Sequence, residues 1–227
     1  MNSRDTEMSA WQKWLQHPQG LRLRKAFSEL HLWMGVGIGL YVSLLSISGS
    51  VIVFRSELDR TFFYAMVEWL VNFHSNLLFG PAGRFVNGLG SVCVTLVCLT
   101  GIIVWWPGIS HWRRALTVDW KAHFARFNWD MHSALGFWSL FLVLLWAISG
   151  FYFAFPEAVN AVFRMFGSGG DAATLYWLAF LHFGRFNLFT KSIWAVCGLV
   201  PAVLSATGVF LCCHRIIHGI RENHEPD

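Results

Sequence analysis

Residues 30–54 read LHLWMGVGIGLYVSLLSISGSVIVF, and residues 131–155 read MHSALGFWSLFLVLLWAISGFYFAF. These are two copies of one pattern. His31 aligns with His132, Gly35 with Gly136, Ile47-Ser48-Gly49 with Ile148-Ser149-Gly150, and Phe54 with Phe155. A weaker pair of segments follows each copy: Trp69-Leu70 and His74 match Trp177-Leu178 and His182, and Thr100-Gly101 matches Thr207-Gly208. An internal repeat of this kind implies a pseudo-symmetric structure, in which corresponding histidines can face each other across an axis.

Composition places the chain in a membrane. Hydrophobic residues make up 55% of it and charged residues only 13%, far from the balance of a soluble domain. Four stretches, 32–54, 85–106, 133–155 and 192–213, contain no Lys, Arg, Asp or Glu, and each has at least 22 residues. That is enough for a helix to cross a hydrocarbon layer of ~30 Å. The first stretch follows a polar arm, residues 1–30, and has no small-residue cleavage site at its end, so it does not read as a signal peptide. The expected fold is an all-α membrane protein: four transmembrane helices arranged as two tandem parallel two-helix repeats, about 30–108 and 131–215, with a tail at 216–227.

Eleven basic residues lie in the N-terminal arm, the middle loop and the tail, against six in the other two loops. By the positive-inside rule both termini are cytoplasmic. The net charge of +4 comes from this bias; no basic patch with interleaved aromatics exists, so no nucleic-acid partner is expected. The two outer loops contain the apolar aromatic runs FFYAMVEWLVNFHSNLLF and TLYWLAFLHF, which read as short interfacial helices with Trp and Tyr at headgroup level. Gly80-Pro81-Ala82-Gly83 and Gly167-Ser168-Gly169-Gly170 read as turns within those loops. The five cysteines, Cys93, Cys98, Cys197, Cys212 and Cys213, fall inside predicted helices without a CxxC or CxxCH, and read as buried small hydrophobes.

Histidine placement carries the chemistry. His31 and His132 sit at the cytoplasmic ends of the odd-numbered helices, and each is followed at i+4 by a glycine, Gly35 or Gly136, on the same helix face. A missing side chain there leaves room for something flat and wide to approach the backbone. His74 and His182 lie on the opposite side, just before the even-numbered helices. Imidazole pairs facing across a bundle are what a six-coordinate haem b needs, one nitrogen on each face of the iron. The carboxylate or thiolate partners that zinc or di-iron sites recruit are missing. The plainer alternative for any single one of these histidines is an interfacial or hydrogen-bonding role. A third matched pair, His111 and His218, lies near basic residues and reads as a neighbour of haem propionates rather than a ligand. Arg84 and Arg185 each follow a glycine ahead of an even helix; each can hold a propionate or act as an interfacial anchor.

Two short motifs carry no chemistry on this reading. Gly35-Val36-Gly37-Ile38-Gly39 lies inside a spanning helix with no strand before it, and reads as a close-packing face rather than a dinucleotide loop. Ser48-Gly49, Thr100-Gly101, Ser149-Gly150 and Thr207-Gly208 occur once per helix and read as small residues at helix crossings.

The chain resembles the PepSY-associated transmembrane helix family, which includes iron-regulated inner-membrane proteins and siderophore-linked ferric reductases. The matching pieces are Leu30-His31 with Gly35 and Ser48-Gly49, His74 with Gly83-Arg84, Thr100-Gly101 and Trp105-Trp106-Pro107. In the second half they are Asp130-Met131-His132 with Gly136, Leu181-His182 with Gly184-Arg185, and Thr207-Gly208. The resemblance implies a four-helix core with two b-type haems that pass electrons across a bacterial inner membrane to a periplasmic acceptor, ferric iron or a ferric siderophore. His31 with His132 would hold the inner haem, and His74 with His182 the outer one. The outer loops are too short for the PepSY modules that family members usually carry there. The electron donor, a quinol or a cytoplasmic flavoprotein, would be a separate molecule. Two competing readings are a haem-free scaffold or accessory subunit, and a quinol-linked anchor subunit of a larger membrane complex.

Overall fold

The computed structural model describes residues 9–16, 18–58, 63–165, 172–184 and 187–222. Every regular element among them is helical. In chain order these are α1 (Ala10–Gln16), α2 (Arg22–Ile52), α3 (Arg55–Leu58), α4 (Tyr64–Asn76), α5 (Gly80–Trp105) and α6 (Trp112–Ala115). They continue with α7 (Phe124–Ala154), α8 (Pro156–Met165), α9 (Ala172–His182), α10 (Leu188–Gly198) and α11 (Val200–Glu222).

Four segments are long and apolar enough to cross a membrane: Arg22–Ile52, Gly80–Trp105, Phe124–Ala154 and Leu188–Ile217. The protein is therefore multi-pass. Its helices turn apolar side chains outward and polar ones inward. Leu40, Trp138 and Phe141 are 74%, 69% and 83% exposed, whereas Ser48, Thr100, Ser149 and Thr207 are buried. Water would penalise such a surface, but lipid does not, and a helix satisfies its interior backbone amides within its own segment.

The odd spans begin well before their charge-free stretches. The helix containing His31 starts at Arg22, and the one containing His132 starts at Phe124. Both histidines therefore lie more than two turns inside a helix rather than at its end. The preceding polar residues, Arg22-Leu23-Arg24-Lys25 and Phe124-Ala125-Arg126, are good enough helix formers to extend the helix beyond the apolar run. The loop segment at Gly80-Pro81-Ala82-Gly83 is likewise not a turn but the opening of α5, where proline is tolerated because the first-turn N–H groups lack partners anyway. The reversal itself lies just upstream, where Leu77 and Leu78 have φ of 53° and 65° and Gly80 has φ of 57°. The aromatic runs form α4 and α9, as their sequence predicts. The segment 167–170 and Arg185 lie outside the described residues.

The chain divides into two compact units. The first comprises residues 1–39, 96–140 and 203–227; the second comprises 40–95 and 141–202. Within the first, the Trp106 indole N–H donates to the Trp14 carbonyl at 3.2 Å, and the Arg24 guanidinium donates to the Val104 carbonyl at 2.6 Å. Trp105 stacks on Phe137 with centroids 4.3 Å apart, and buried Asp130 pairs with Arg126 at 2.9 Å. Within the second, Lys191, nearly buried on α10, donates to Glu57 at 2.8 Å and to the Ser56 hydroxyl at 2.8 Å. Tyr41 donates to the Asn87 side-chain oxygen at 3.1 Å, while the Asn87 amide donates to the His74 carbonyl at 2.8 Å.

Candidate functional site

In the first unit, His31 on α2 and His132 on α7 come together with ring centroids 6.3 Å apart and planes at 80°. Two imidazoles bound through one nitrogen each to a shared ion at ~2.0–2.1 Å, with ring radii of about 1.1–1.2 Å, place their centroids roughly 6.3 Å apart. A mutual angle of 80° suits two rings turned about a common axis. Each ring is held at the other nitrogen. The His31 Nδ1 lies 3.0 Å from the Val97 carbonyl and 3.2 Å from the Thr100 hydroxyl; the His132 Nδ1 lies 3.0 Å from the Thr207 hydroxyl. Neither Nε2 bonds to a described residue.

The second unit repeats the arrangement on other elements. The His74 Nδ1, at the end of α4, lies 3.1 Å from the Ser48 hydroxyl; the His182 Nδ1, the last residue of α9, lies 2.6 Å from the Ser149 hydroxyl. Both rings border a cavity of about 720 Å3, within the ~300–1,000 Å3 range of small-molecule and cofactor sites. Burial pushes His74 down to about 4 and His182 down to about 3, the latter further depressed by the neighbouring His74. Both are thus neutral near pH 7, the state in which imidazole binds metal. Arg55, Arg84 and Lys191 also line this cavity, and among the described residues no carboxylate does. Arg55 is engaged with Glu68 at 2.6 Å. Burial and the Lys191 contact act oppositely on Glu57: the Lys191 hydrogen bond prevails and holds its carboxyl below the usual range. Arg84 is exposed and pairs with no described residue.

The Ser-Gly and Thr-Gly dipeptides do more than let helices approach one another. A Cβ added at Gly49 would stand 2.9 Å from His74 Cε1; at Gly101 it would stand 3.2 Å from His31 Cε1, and at Gly208 3.2 Å from His132 Cε1. In these three pairs the hydroxyl engages the ring nitrogen while the glycine makes space for the ring carbon beside it. Gly150 differs, since its neighbour is the Ser91 hydroxyl at 2.9 Å. At the expected close-packing face Gly35-Gly37-Gly39, only Gly39 has a neighbour, where an added Cβ would meet Val209 in ordinary contact at 3.6 Å. A Cβ added at Gly35 or Gly37 would meet no other part of the described structure within 4 Å, and one at Gly136 would be in ordinary contact with Leu204 at 3.8 Å. One turn from His31, the helix surface is thus open.

A macrocycle that brings its own equatorial nitrogens fits these residues better than a bare ion does. Among the described residues no three His, Cys, Asp or Glu side chains converge, whereas each unit offers two imidazoles with free Nε2 atoms. His31 with His132, and His74 with His182, are the residues that would hold two such groups. His111 is exposed at the start of α6, and the His218 side chain lies outside the described residues. Sequence reasoning missed the four hydroxyls and Lys191. The hydroxyls had a signal, because each dipeptide recurs once per repeated segment in step with one histidine.

Residues 63–173 match the model of the PepSY-associated TM region. That region includes His74 and His132 together with Thr100-Gly101 and Ser149-Gly150. A stretch of 87 residues is also 32% identical to an uncharacterized protein of Pseudomonas aeruginosa, covering 37% of this chain and 21% of that relative. The chain thus spans about a fifth of the length of the curated relative it matches. No solved structure matches it.

Proposed function

We propose that this multi-pass protein, similar over residues 63–173 to the PepSY-associated TM region, is a di-haem b-type cytochrome. In this reading it passes electrons across a bacterial inner membrane to a periplasmic acceptor, ferric iron or a ferric siderophore. The observation that carries the reading is the 6.3 Å separation of the His31 and His132 rings, each held at Nδ1 and open at Nε2. Bound haem would supply reversible one-electron chemistry at iron. The chain's own residues do the rest: four neutral imidazoles orient and ligate, and apolar walls exclude water. Of the cations lining the second unit's cavity, Arg84, the one not engaged elsewhere among the described residues, would meet the group's carboxylates. No general base or nucleophile is required, because no bond to carbon is made or broken. Electrons would enter from a quinol or a cytoplasmic flavoprotein, with both termini on the cytoplasmic side and outer loops facing the acceptor.

The test is the visible spectrum and haem stoichiometry of the purified full chain. Two haems per chain are expected, with a reducible α-band. His31→Ala or His132→Ala should remove one of them, and His74→Ala or His182→Ala the other. A chain with no Soret band is instead a haem-free scaffold. Haem reduced by quinol, with no reduction of iron, marks an anchor subunit of a larger complex.

A further inference from the structure

The four hydroxyls of the Ser/Thr-Gly dipeptides have no spare proton. Thr100 donates to the Leu96 carbonyl at 2.8 Å, Thr207 to Val203 at 2.8 Å, Ser48 to Leu44 at 2.8 Å and Ser149 to Leu145 at 2.5 Å, each one helical turn back. A hydroxyl has one proton and two lone pairs. With the proton committed to a backbone carbonyl, the oxygen meets the imidazole as an acceptor, so the imidazole nitrogen must be the donor. For His31 a second contact leads to the same assignment: its Nδ1 is 3.0 Å from the Val97 carbonyl, which can only accept. His74 has the Leu45 carbonyl as a second partner and His132 the Leu204 carbonyl. Among the described residues His182 has Ser149 alone, at 2.6 Å.

We infer that Ser48, Thr100, Ser149 and Thr207 are positioning residues that lock their histidines in the Nδ1–H tautomer and aim each Nε2 lone pair at a metal. This rests on the proposed haem reading for its purpose but not for its geometry. The partner on the second nitrogen decides which nitrogen of a histidine is free to ligate, and fixes the ring plane. A back-bonded hydroxyl is a neutral acceptor. It orients the ring without drawing the proton away as a carboxylate would, and so keeps the ligand a neutral imidazole. The glycine that follows completes the device at three of the four sites by leaving the ring carbon room. Because the carbonyls reinforce three of the rings, the four hydroxyls are unequal, and Ser149 is the one with no substitute.

The experiment uses the full chain in nanodiscs, labelled with 15N-histidine and produced without added haem, alongside the same chain titrated with haem. Four imidazoles carrying hydrogen on Nδ1 and a bare Nε2 are expected in wild type. In Ser149→Ala, the His182 signal should change to a mixture or to the Nε2–H form, and haem affinity at one site should fall about 10–100-fold, the usual effect of losing such a partner. Thr100→Val, which keeps the side-chain volume, should leave His31 on the Val97 carbonyl and change affinity by less than ~5-fold. Nε2–H signals from these four residues in wild type overturn the inference, as does a Ser149→Ala chain with unchanged tautomer and affinity, or equal effects of the two variants. If Ser149→Ala yields no helical protein, Ser149→Cys, which nearly keeps the volume but offers only a weak sulfur acceptor, replaces it with the same His182 signal as readout. Failure to take up haem in wild type refutes the cytochrome reading alone, since the tautomers are read in the haem-free chain.

Discussion

Replacing Gly49 by alanine tests the ring cradle with the smallest possible change. Alanine is the better helix former by about 0.5–1 kcal/mol, so propensity alone favours the variant. Its Cβ, however, would sit 2.9 Å from His74 Cε1 and 3.4 Å from Nδ1. Carbon atoms settle at ~3.5–4.0 Å, so the imidazole must retreat by about 0.6 Å or more. It cannot do so and keep its 3.1 Å contact with Ser48, which is attached to the same turn. Overpacking of this size costs about 1–3 kcal/mol, and if the strain falls on the ligand, haem affinity drops by roughly 5- to 150-fold. The same substitution at Gly101 or Gly208 begins from 3.2 Å and should cost under about fivefold. Gly150→Ala is the control, because its Cβ meets the rotatable Ser91 hydroxyl and not a histidine. Soret titration of the four variants gives the order directly, with helical content by circular dichroism confirming that each is folded. A Gly49→Ala chain that binds haem as tightly as Gly150→Ala would refute the cradle.

Other predictions address charge and space. Arg84→Ala should retain both haems but shift the midpoint potential of one, and an unchanged redox titration would make Arg84 an interfacial anchor. Gly35→Ala should leave folding intact, since nothing lies within 4 Å, yet weaken haem binding beside His31; equal affinity would show that the open surface is not used. Glu57→Gln should lower the thermal midpoint by leaving the Lys191 ammonium without its partner at 2.8 Å, and adding Lys191→Met should restore most of the loss; an additive second loss would contradict the pairing. His74 and His182 have folded pKa values depressed by burial to about 4 and about 3 from 6.5. Below pH 6.5 the unfolded chain takes up protons that the folded one refuses. Stability is therefore full above that pH and declines as pH falls toward 4 and 3. Melting of the haem-free chain between pH 7.5 and 4.5 should show this, with a shallower decline in His182→Gln.

The spans were legible because lipid imposes a simple demand: about twenty residues without charge. Their starts were not, since charged residues such as those of Arg22-Leu23-Arg24-Lys25 can continue a helix beyond the apolar run that hydropathy marks. The convergence of His31 on His132 followed from matched positions in two similar segments. The bonding of each ring to Ser48, Thr100, Ser149 or Thr207 was harder to see, because small residues in membrane helices have an ordinary packing use and sequence cannot tell a hydroxyl that packs from one that accepts. Lys191 was read only as one loop charge among six; its burial against Glu57 is a tertiary fact, the partners lying 134 positions apart.

The back-bonded hydroxyls also bear on how the protein is made. A serine or threonine whose proton already rests on its own helix leaves only its oxygen lone pairs to be exposed to lipid. Each of the four segments can then partition into the bilayer as an ordinary apolar helix, before any cofactor arrives and before its neighbours are in place. The acceptor needed later is carried in from the start and hidden until a histidine from another segment reaches it.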